Sequence, residues 1–286
     1  MIIDAHHHVW TLARGDYAWI TPDVQPLCRD FTLADYAAAA PVEVTASVLV
    51  QAAPTVAETH FLLDVARQSQ GRVLGVVGWA DLDSDDAVMV LEDLAREPLL
   101  RSIRPMLQNE ADPEWILRPR VQNALTTVQR LGVRFDALVK PPQLAALVRM
   151  LERNPDLEVV VDHGGKPPIV RHAFAPWATF MRAAAVHQRT HCKLSGLVTE
   201  AGPDWTVADL RPYVDHLFDC FGAERIMWGS DWPVVRLNGG MDAWWLATRT
   251  LLEPLDDAAR AAVLCDNARR FYGLATGSDP KTGVSP

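Results

Sequence analysis

The feature that most constrains the fold is a regular alternation along the chain, in which short apolar runs are each followed by a longer stretch of helical periodicity. Short apolar runs of this kind are typical of buried strands, and strands that alternate with helices pair in parallel through right-handed crossovers. Eight such strands are predicted, at Ile2–His6, Ser47–Gln51, Val73–Gly78, Ser102–Met106, Phe135–Val139, Glu158–Asp162, Cys192–Ser195 and Arg225–Trp228.

The helical stretches fall between these runs and after the last one. They are Ala57–Ser69, Asp85–Glu97, Glu114–Leu131, Gln143–Asn154, Pro176–His187, Val207–Phe221, Met241–Leu252 and Asp256–Tyr272. The rhythm predicts an α/β fold, a single-domain (β/α)₈ TIM barrel over residues 1–275, followed by a flexible tail rich in Gly, Ser and Pro at 276–286. A doubly wound open sheet is the alternative, but it would usually bring a glycine-rich phosphate-binding turn after the first strand, and the sequence has none there.

Composition narrows the classes of function. The chain has 286 residues, 49% of them hydrophobic, which is enough for one large core. A formal net charge of −9 without any basic run disfavours nucleic acid and anionic membranes as partners. No apolar stretch approaches the roughly 18 residues of a membrane span. The four cysteines are scattered and form no Cys-x-x-Cys pair, which is typical of reduced thiols in a cytoplasmic protein.

Polar residues stand where the apolar runs end. In the first strand His6 and His8 are two residues apart and so share one face, whereas His7 points the other way. Two imidazoles that converge from one strand end form a natural half-site for a divalent metal. The alternative is that they are ordinary core or surface histidines.

The sixth and eighth runs end on His163 and Asp231. A histidine beside two glycines can bind a metal or polarise a carbonyl, and a carboxylate facing a metal centre can hold a water and take its proton. Alone, the first could be a packing histidine and the second a turn or helix cap. Because the carboxyl ends of barrel strands meet at one mouth, the fold predicts that these residues converge with the histidine pair. We therefore expect catalytic roles for Asp231 and His163, and metal ligands at His6, His8, His163 and Asp231.

Other residues at or near the strand ends carry donors or aromatic rings suited to a hydroxyl-rich or carboxylated substrate. Each could equally serve a structural salt bridge or hydrogen bond, and the tryptophans could simply fill loops. The predicted substrate-binding residues are Gln51, Trp79, Arg104, Lys140, Lys193, Ser195 and Trp232.

Taken together, these motifs resemble the amidohydrolase superfamily and, within it, the sugar-acid lactonase branch with its L-fuconolactonase-like and L-rhamnonolactonase-like members. The resemblance covers nearly the whole chain and is carried by Asp4–Trp10, Val50–Ala52, Gly75–Leu82, Ile103–Arg104, Asp162–Pro167, Cys192–Leu197 and Gly229–Pro233. It implies a carboxylic ester hydrolase that opens a sugar-acid lactone such as L-fucono-1,5-lactone in carbohydrate catabolism.

The chain departs from the superfamily pattern at the fifth strand, which ends in Leu138, Val139 and Lys140 where the pattern has a histidine. The resemblance therefore implies at most one divalent metal ion, and zinc is the ion expected. Some members of this branch work without a metal. Two other functions stay open: a hydrolase or decarboxylase of a carboxylated aromatic-derived lactone or acid, and a sugar-acid binding protein without activity. The expected partner is a small-molecule lactone, with no nucleic acid or membrane, and the chain could form homo-oligomers.

Overall fold

The computed structural model describes residues 1–275 and has eight parallel strands hydrogen-bonded in sequence order, as the alternation predicts. The predicted tail at 276–286 lies outside the described residues. The strands are β1 (Ile2–His7), β2 (Val44–Val50), β3 (Val73–Gly78), β4 (Leu100–Ile103), β5 (Arg134–Ala137), β6 (Val159–Val161), β7 (Thr190–Leu194) and β8 (Ile226–Trp228).

Helices cover the outside of this barrel. They are α1 (Leu33–Ala39), α2 (Val56–Gln68), α3 (Ala87–Leu94), α4 (Pro119–Arg130), α5 (Leu144–Arg153), α6 (Ala175–Ala185), α7 (Leu197–Ala201), α8 (Val207–Phe221), α9 (Gly240–Leu252), α10 (Asp257–Ala261) and α11 (Asn267–Tyr272). The eight predicted helical stretches are confirmed, with shifted bounds; a π-helical turn at Ala262–Asp266 divides the last of them. The sequence reasoning missed α1 and α7, which are too short to show a periodic apolar face.

Backbone hydrogen bonds just beyond β8 join the two ends of the sheet. Asp231 N–H donates to the His6 carbonyl at 2.8 Å, and His8 N–H donates to the Trp232 carbonyl at 2.7 Å. The barrel is therefore closed next to the predicted catalytic residues, by the same backbone segments that carry them.

An irregularity in β1 decides which of its side chains face inward. Asp4 pairs with Ser47 and His7 with Leu49, so β1 advances three residues where β2 advances two. Strict alternation would send Asp4 and His7 to opposite faces. With the extra residue both meet Tyr36 of α1: its hydroxyl donates to Asp4 at 2.8 Å, and its ring stacks on His7 at 3.9 Å. The bulge thus leaves His6 and His8 free to point into the barrel.

The C-terminal helix α11 closes the barrel at the end opposite the mouth. Phe271 and Tyr272 pack with Val48, Val160 and Met227 in an interior cluster separate from the large core beneath the outer helices. The Tyr272 hydroxyl reaches further in and donates to Asp136 of β5 at 2.7 Å. Within residues 1–275 no helix is both long and apolar enough to cross a membrane.

Candidate active site

A cavity of about 250 Å³ opens where the carboxyl ends of the strands meet. Its polar wall includes the predicted catalytic residues His163 and Asp231, and its apolar wall comes from the segments after β1, β2, β4, β5 and β8. The residues that line it are His8, Trp19, Val24, Ala52, Arg104, Met106, Gln108, Asn109, Leu138, His163, Lys166, Thr199, Asp231, Val234 and Leu237.

His6 and His8 converge as the two-residue spacing predicts, with their Nε2 atoms 3.2 Å apart. His8 Nδ1 lies 2.8 Å from the Val50 carbonyl, which can only accept, so Nδ1 carries the proton and Nε2 offers a lone pair. Burial and the nearby Lys193 ammonium lower the pKa of His6 well below its ordinary value. Lys193 Nζ lies 3.1 Å from His6 Nδ1, on the side of the ring away from His8. Two ring nitrogens this close are held together by a proton or by an ion.

Asp231 stands over the histidines in a left-handed backbone conformation, with φ +56°. Its Oδ1 lies 3.4 Å from His8 Nε2, 3.7 Å from His6 Nε2 and 3.9 Å from His163 Nε2. Burial opposes ionisation of this carboxyl, but His163 and His8 hold its pKa below the ordinary value. Asp231 is therefore an ionised carboxylate beside the cavity, able to accept a proton.

His163 follows β6 and also has a positive φ, +54°. Its Nδ1 lies 2.9 Å from the Ser195 hydroxyl, which fixes the ring and leaves Nε2 toward Asp231. Burial lowers the pKa of His163 to about 4, so the imidazole is neutral at pH 7.

A buried network of charges lies under the histidine pair. Lys193 Nζ is 2.5 Å from Asp136 and 3.0 Å from Asp162, and Arg104 donates to Asp162 at 3.2 Å. Burial opposes ionisation of Asp162, but Lys193 and His6 hold its pKa well below the ordinary value. Since these side chains are buried, each charge depends on its neighbours to compensate for lost solvation. The network therefore fixes the position of the His6 ring.

Among the predicted substrate-binding residues, only Arg104 lines the cavity. It lies one residue beyond β4 and not within the strand as predicted. The strand ends here because Pro105 has no N–H to extend the ladder of hydrogen bonds. Gln51 is buried beside Arg104 and donates to its carbonyl at 2.6 Å. Lys193 and Ser195 are buried and contact His6 and His163.

The other three predicted substrate-binding residues lie away from this cavity. Trp79 lines a neighbouring cavity of about 360 Å³ with Asp81 and Trp115. Lys140 is exposed at the surface. Trp232 is fully buried against Phe31 and Tyr36.

Sequence reasoning missed several groups that shape the site. Asp136 gave no signal, because a single aspartate in a four-residue strand looks like a boundary residue. Asp162 was visible as the neighbour of His163. Lys166, Gln108 and Asn109 lie in connections between strands and helices, and Thr199 lies in the short helix α7, where nothing in the sequence indicates which side chains turn into the cavity.

The buried donors suit a divalent cation. His6, His163 and Asp231 each offer one ligand atom, and these atoms all lie within 4.8 Å of one another. Imidazole nitrogens with one carboxylate oxygen are the usual ligands of zinc and related ions. Asp162 Oδ1 lies 3.5 Å from His6 Nδ1 and would accept the proton of an imidazole that binds through Nε2. The residues present therefore fit one metal ion.

Comparison with known proteins identifies relatives that match nearly the whole chain. A family model described as amidohydrolase matches residues 3–274. An L-fucono-1,5-lactonase of Burkholderia ambifaria is 43% identical over 277 residues, 95% of each chain. A second, from Burkholderia multivorans, is 35% identical over 98% of each chain. A crystal structure of a Burkholderia multivorans amidohydrolase with bound zinc superposes with a TM-score of 0.86 at 33% identity, covering 96% of this chain and all of that one.

Proposed function

Because this chain belongs to the amidohydrolase family, we propose that it is a lactonase that hydrolyses a sugar-acid lactone to the free acid in carbohydrate catabolism. L-Fucono-1,5-lactone or a related aldonolactone is the proposed substrate, since two relatives of that activity align over nearly the whole chain. The observation that carries the proposal is the ionised carboxylate of Asp231, held over the imidazoles of His6, His8 and His163 at the wall of a small cavity.

In the proposed mechanism a water beside His6, His8 and Asp231 attacks the lactone carbonyl, and Asp231 accepts its proton. His163, which faces the cavity, stabilises the developing oxyanion, a contribution of about 3–4 kcal/mol for a well-placed donor. Asp231 then returns the proton to the departing ring oxygen. A lactone is an ester and is easier to hydrolyse than an amide, so these few catalytic side chains are sufficient.

His6, His8, His163 and Asp231 are the residues that would hold a divalent ion, and zinc is the metal proposed. The donor set supports it, as does the zinc bound in the solved relative from Burkholderia multivorans. When bound, such an ion polarises a carbonyl and lowers the pKa of water.

The cations around the cavity favour a neutral sugar lactone over a carboxylated aromatic substrate. A substrate with several carboxylates needs guanidinium or ammonium groups free to pair with them. Arg104 and Lys166 are the two basic side chains that line the cavity, and Arg104 is already engaged by Asp162 and by the Gln51 carbonyl, so a single ammonium group remains for a substrate with several carboxylates. A sugar-acid binding protein without activity would have no need of an ionised carboxylate at Asp231.

We also propose that the enzyme is cytoplasmic, a location supported by its four unpaired cysteines.

A panel of aldonolactones, assayed with and without a chelator, tests the proposal. We expect rapid opening of one or more 1,5-lactones with hydroxyl substituents, and little or no action on carboxylated pyrones. Failure to open any aldonolactone, with or without added zinc, would refute the lactonase function. Loss of activity in chelator that zinc restores would support the metal; full activity after exhaustive chelation would exclude an essential role for it.

A further inference from the structure

Backbone strain in this protein is concentrated at the cavity. Within residues 1–275, five residues other than glycine have a φ in the left-handed region, and three of them line the cavity: His163, Lys166 and Asp231. A side chain with a Cβ adopts this conformation only where the surrounding structure enforces it, and such residues cluster at functional sites. Two of the three are the proposed catalytic residues. The third, Lys166, has no role in the mechanism above.

Lys166 ends an unusual run in which four consecutive residues are left-handed, with φ values of +54° at His163, +58° at Gly164, +70° at Gly165 and +50° at Lys166. Left-handed residues in proteins normally occur singly. The run turns the chain sharply after β6, so that His163 and Lys166 both reach the same cavity.

The surroundings of Lys166 leave its ammonium group available. Its side chain is 17% exposed, and Nζ lies 3.3 Å from Oε1 of Glu200 in α7. An ammonium group has three donors, so this contact leaves two for a ligand in the cavity. Arg104, the other cation of the cavity wall, already donates to Asp162 and the Gln51 carbonyl. Lys166 is thus the less committed cation, and Glu200 holds it in place.

We infer that Lys166 binds a hydroxyl group of the sugar-acid lactone and is a specificity-determining residue of this enzyme. The inference rests on the proposed function and extends it, because it assigns recognition of the hydroxylated part of the substrate to one side of the cavity. Glu200 acts as a positioning residue, since it meets the substrate only through Lys166.

The test measures kcat/KM of Lys166→Met on an aldono-1,5-lactone and on a set of analogues that each lack one hydroxyl. A charged hydrogen bond of this kind predicts a loss of about 10- to 100-fold on the parent lactone. For the one analogue that lacks the contacted hydroxyl, the variant and the wild type should differ by less than about threefold. Glu200→Gln should give a smaller loss with the same dependence on the analogue, and Lys166→Arg should recover part of the activity.

Arg96→Met serves as the matched control, because Arg96 also pairs with a single carboxylate, Asp93, on the outer surface away from the cavity. It should leave kcat/KM unchanged on every lactone. Unchanged kcat/KM in Lys166→Met, or an equal loss on every analogue, would overturn the inference while the wild-type activity still upheld the proposed function. If Lys166→Met does not fold, the analogue dependence of Glu200→Gln and Lys166→Arg decides in its place. Absence of any lactone opening by the wild type would instead refute the proposed function itself.

Discussion

Gly196 lies directly against the imidazole of His163. A Cβ added at Gly196 would stand 2.5 Å from His163 Nδ1 and 2.7 Å from Cγ, and the glycine has a φ of +62°. The residue after Ser195 is therefore a glycine for two reasons, the backbone conformation and the space that the histidine ring occupies.

Gly196→Ala should displace His163 and lower kcat/KM by about 10- to 100-fold, since a misplaced catalytic group on this scale costs that much. Gly132→Ala is the matched control: Gly132 has a φ of +68°, with nothing within 4 Å of the added Cβ. Both variants should lose about 1 kcal/mol of unfolding free energy from the left-handed backbone, but only the first should lose activity. Equal activities would show that the ring of His163 tolerates the shift.

Asp231→Asn should reduce kcat for lactone opening by about 10²- to 10⁴-fold, because the amide cannot accept the proton of the attacking water. The side chain keeps its size, so thermal unfolding should stay close to that of the wild type. Asp93→Asn, at an exposed surface position, provides the comparison. Near-normal turnover by the folded Asp231→Asn protein would remove Asp231 from the role of base.

Lys193→Met should lower the free energy of unfolding by about 3–5 kcal/mol, the cost of leaving buried charge uncompensated. Lys193 is fully buried between Asp136 and Asp162, and removing its ammonium leaves both carboxylates with less solvation. Urea unfolding measures the effect. Arg96→Met, which breaks an exposed pair, should change stability by less than about 1 kcal/mol. A similar small change in Lys193→Met would show that the network is not a source of stability.

Glu58 gives the protein a predictable dependence of stability on pH. This carboxyl accepts from the backbone N–H groups of Ala52 and Ala53, and burial raises its pKa from 4.5 to about 7. Between these two values the folded state holds a proton that the unfolded state has lost, so stability falls as the pH rises. The full difference is about 3 kcal/mol.

Urea unfolding of the wild type and Glu58→Gln at several pH values from 4 to 8 isolates this contribution, because other titrating groups are common to both proteins. The wild type should lose stability relative to the variant as the pH rises through this window. Parallel stability curves for the two proteins would show that the pKa of Glu58 is the same in the folded and unfolded states.

The sequence predicts the eight strands from apolar runs of strand length, and the barrel that they imply brings the strand ends that carry His6, His8, His163 and Asp231 to one mouth. Contacts between individual side chains inside the barrel follow no such rule. Nothing near Lys193 in the sequence indicates that it would meet Asp136 inside the barrel. Its position near a strand end and its ammonium donor led instead to the prediction of a substrate contact. The extra residue in β1 and the left-handed run after β6 depend on how neighbouring segments pack, so periodicity cannot reveal them.

The hydrogen bonds between His6 and Asp231, and between His8 and Trp232, have a kinetic consequence. They bring together residues more than 220 positions apart, and the proposed catalytic carboxylate stands on one of the two segments they join. A partly formed barrel, however many strands it has assembled, lacks a complete site. Recovery of enzyme activity after dilution from denaturant should therefore require this long-range contact, and should lag behind the return of helical circular dichroism.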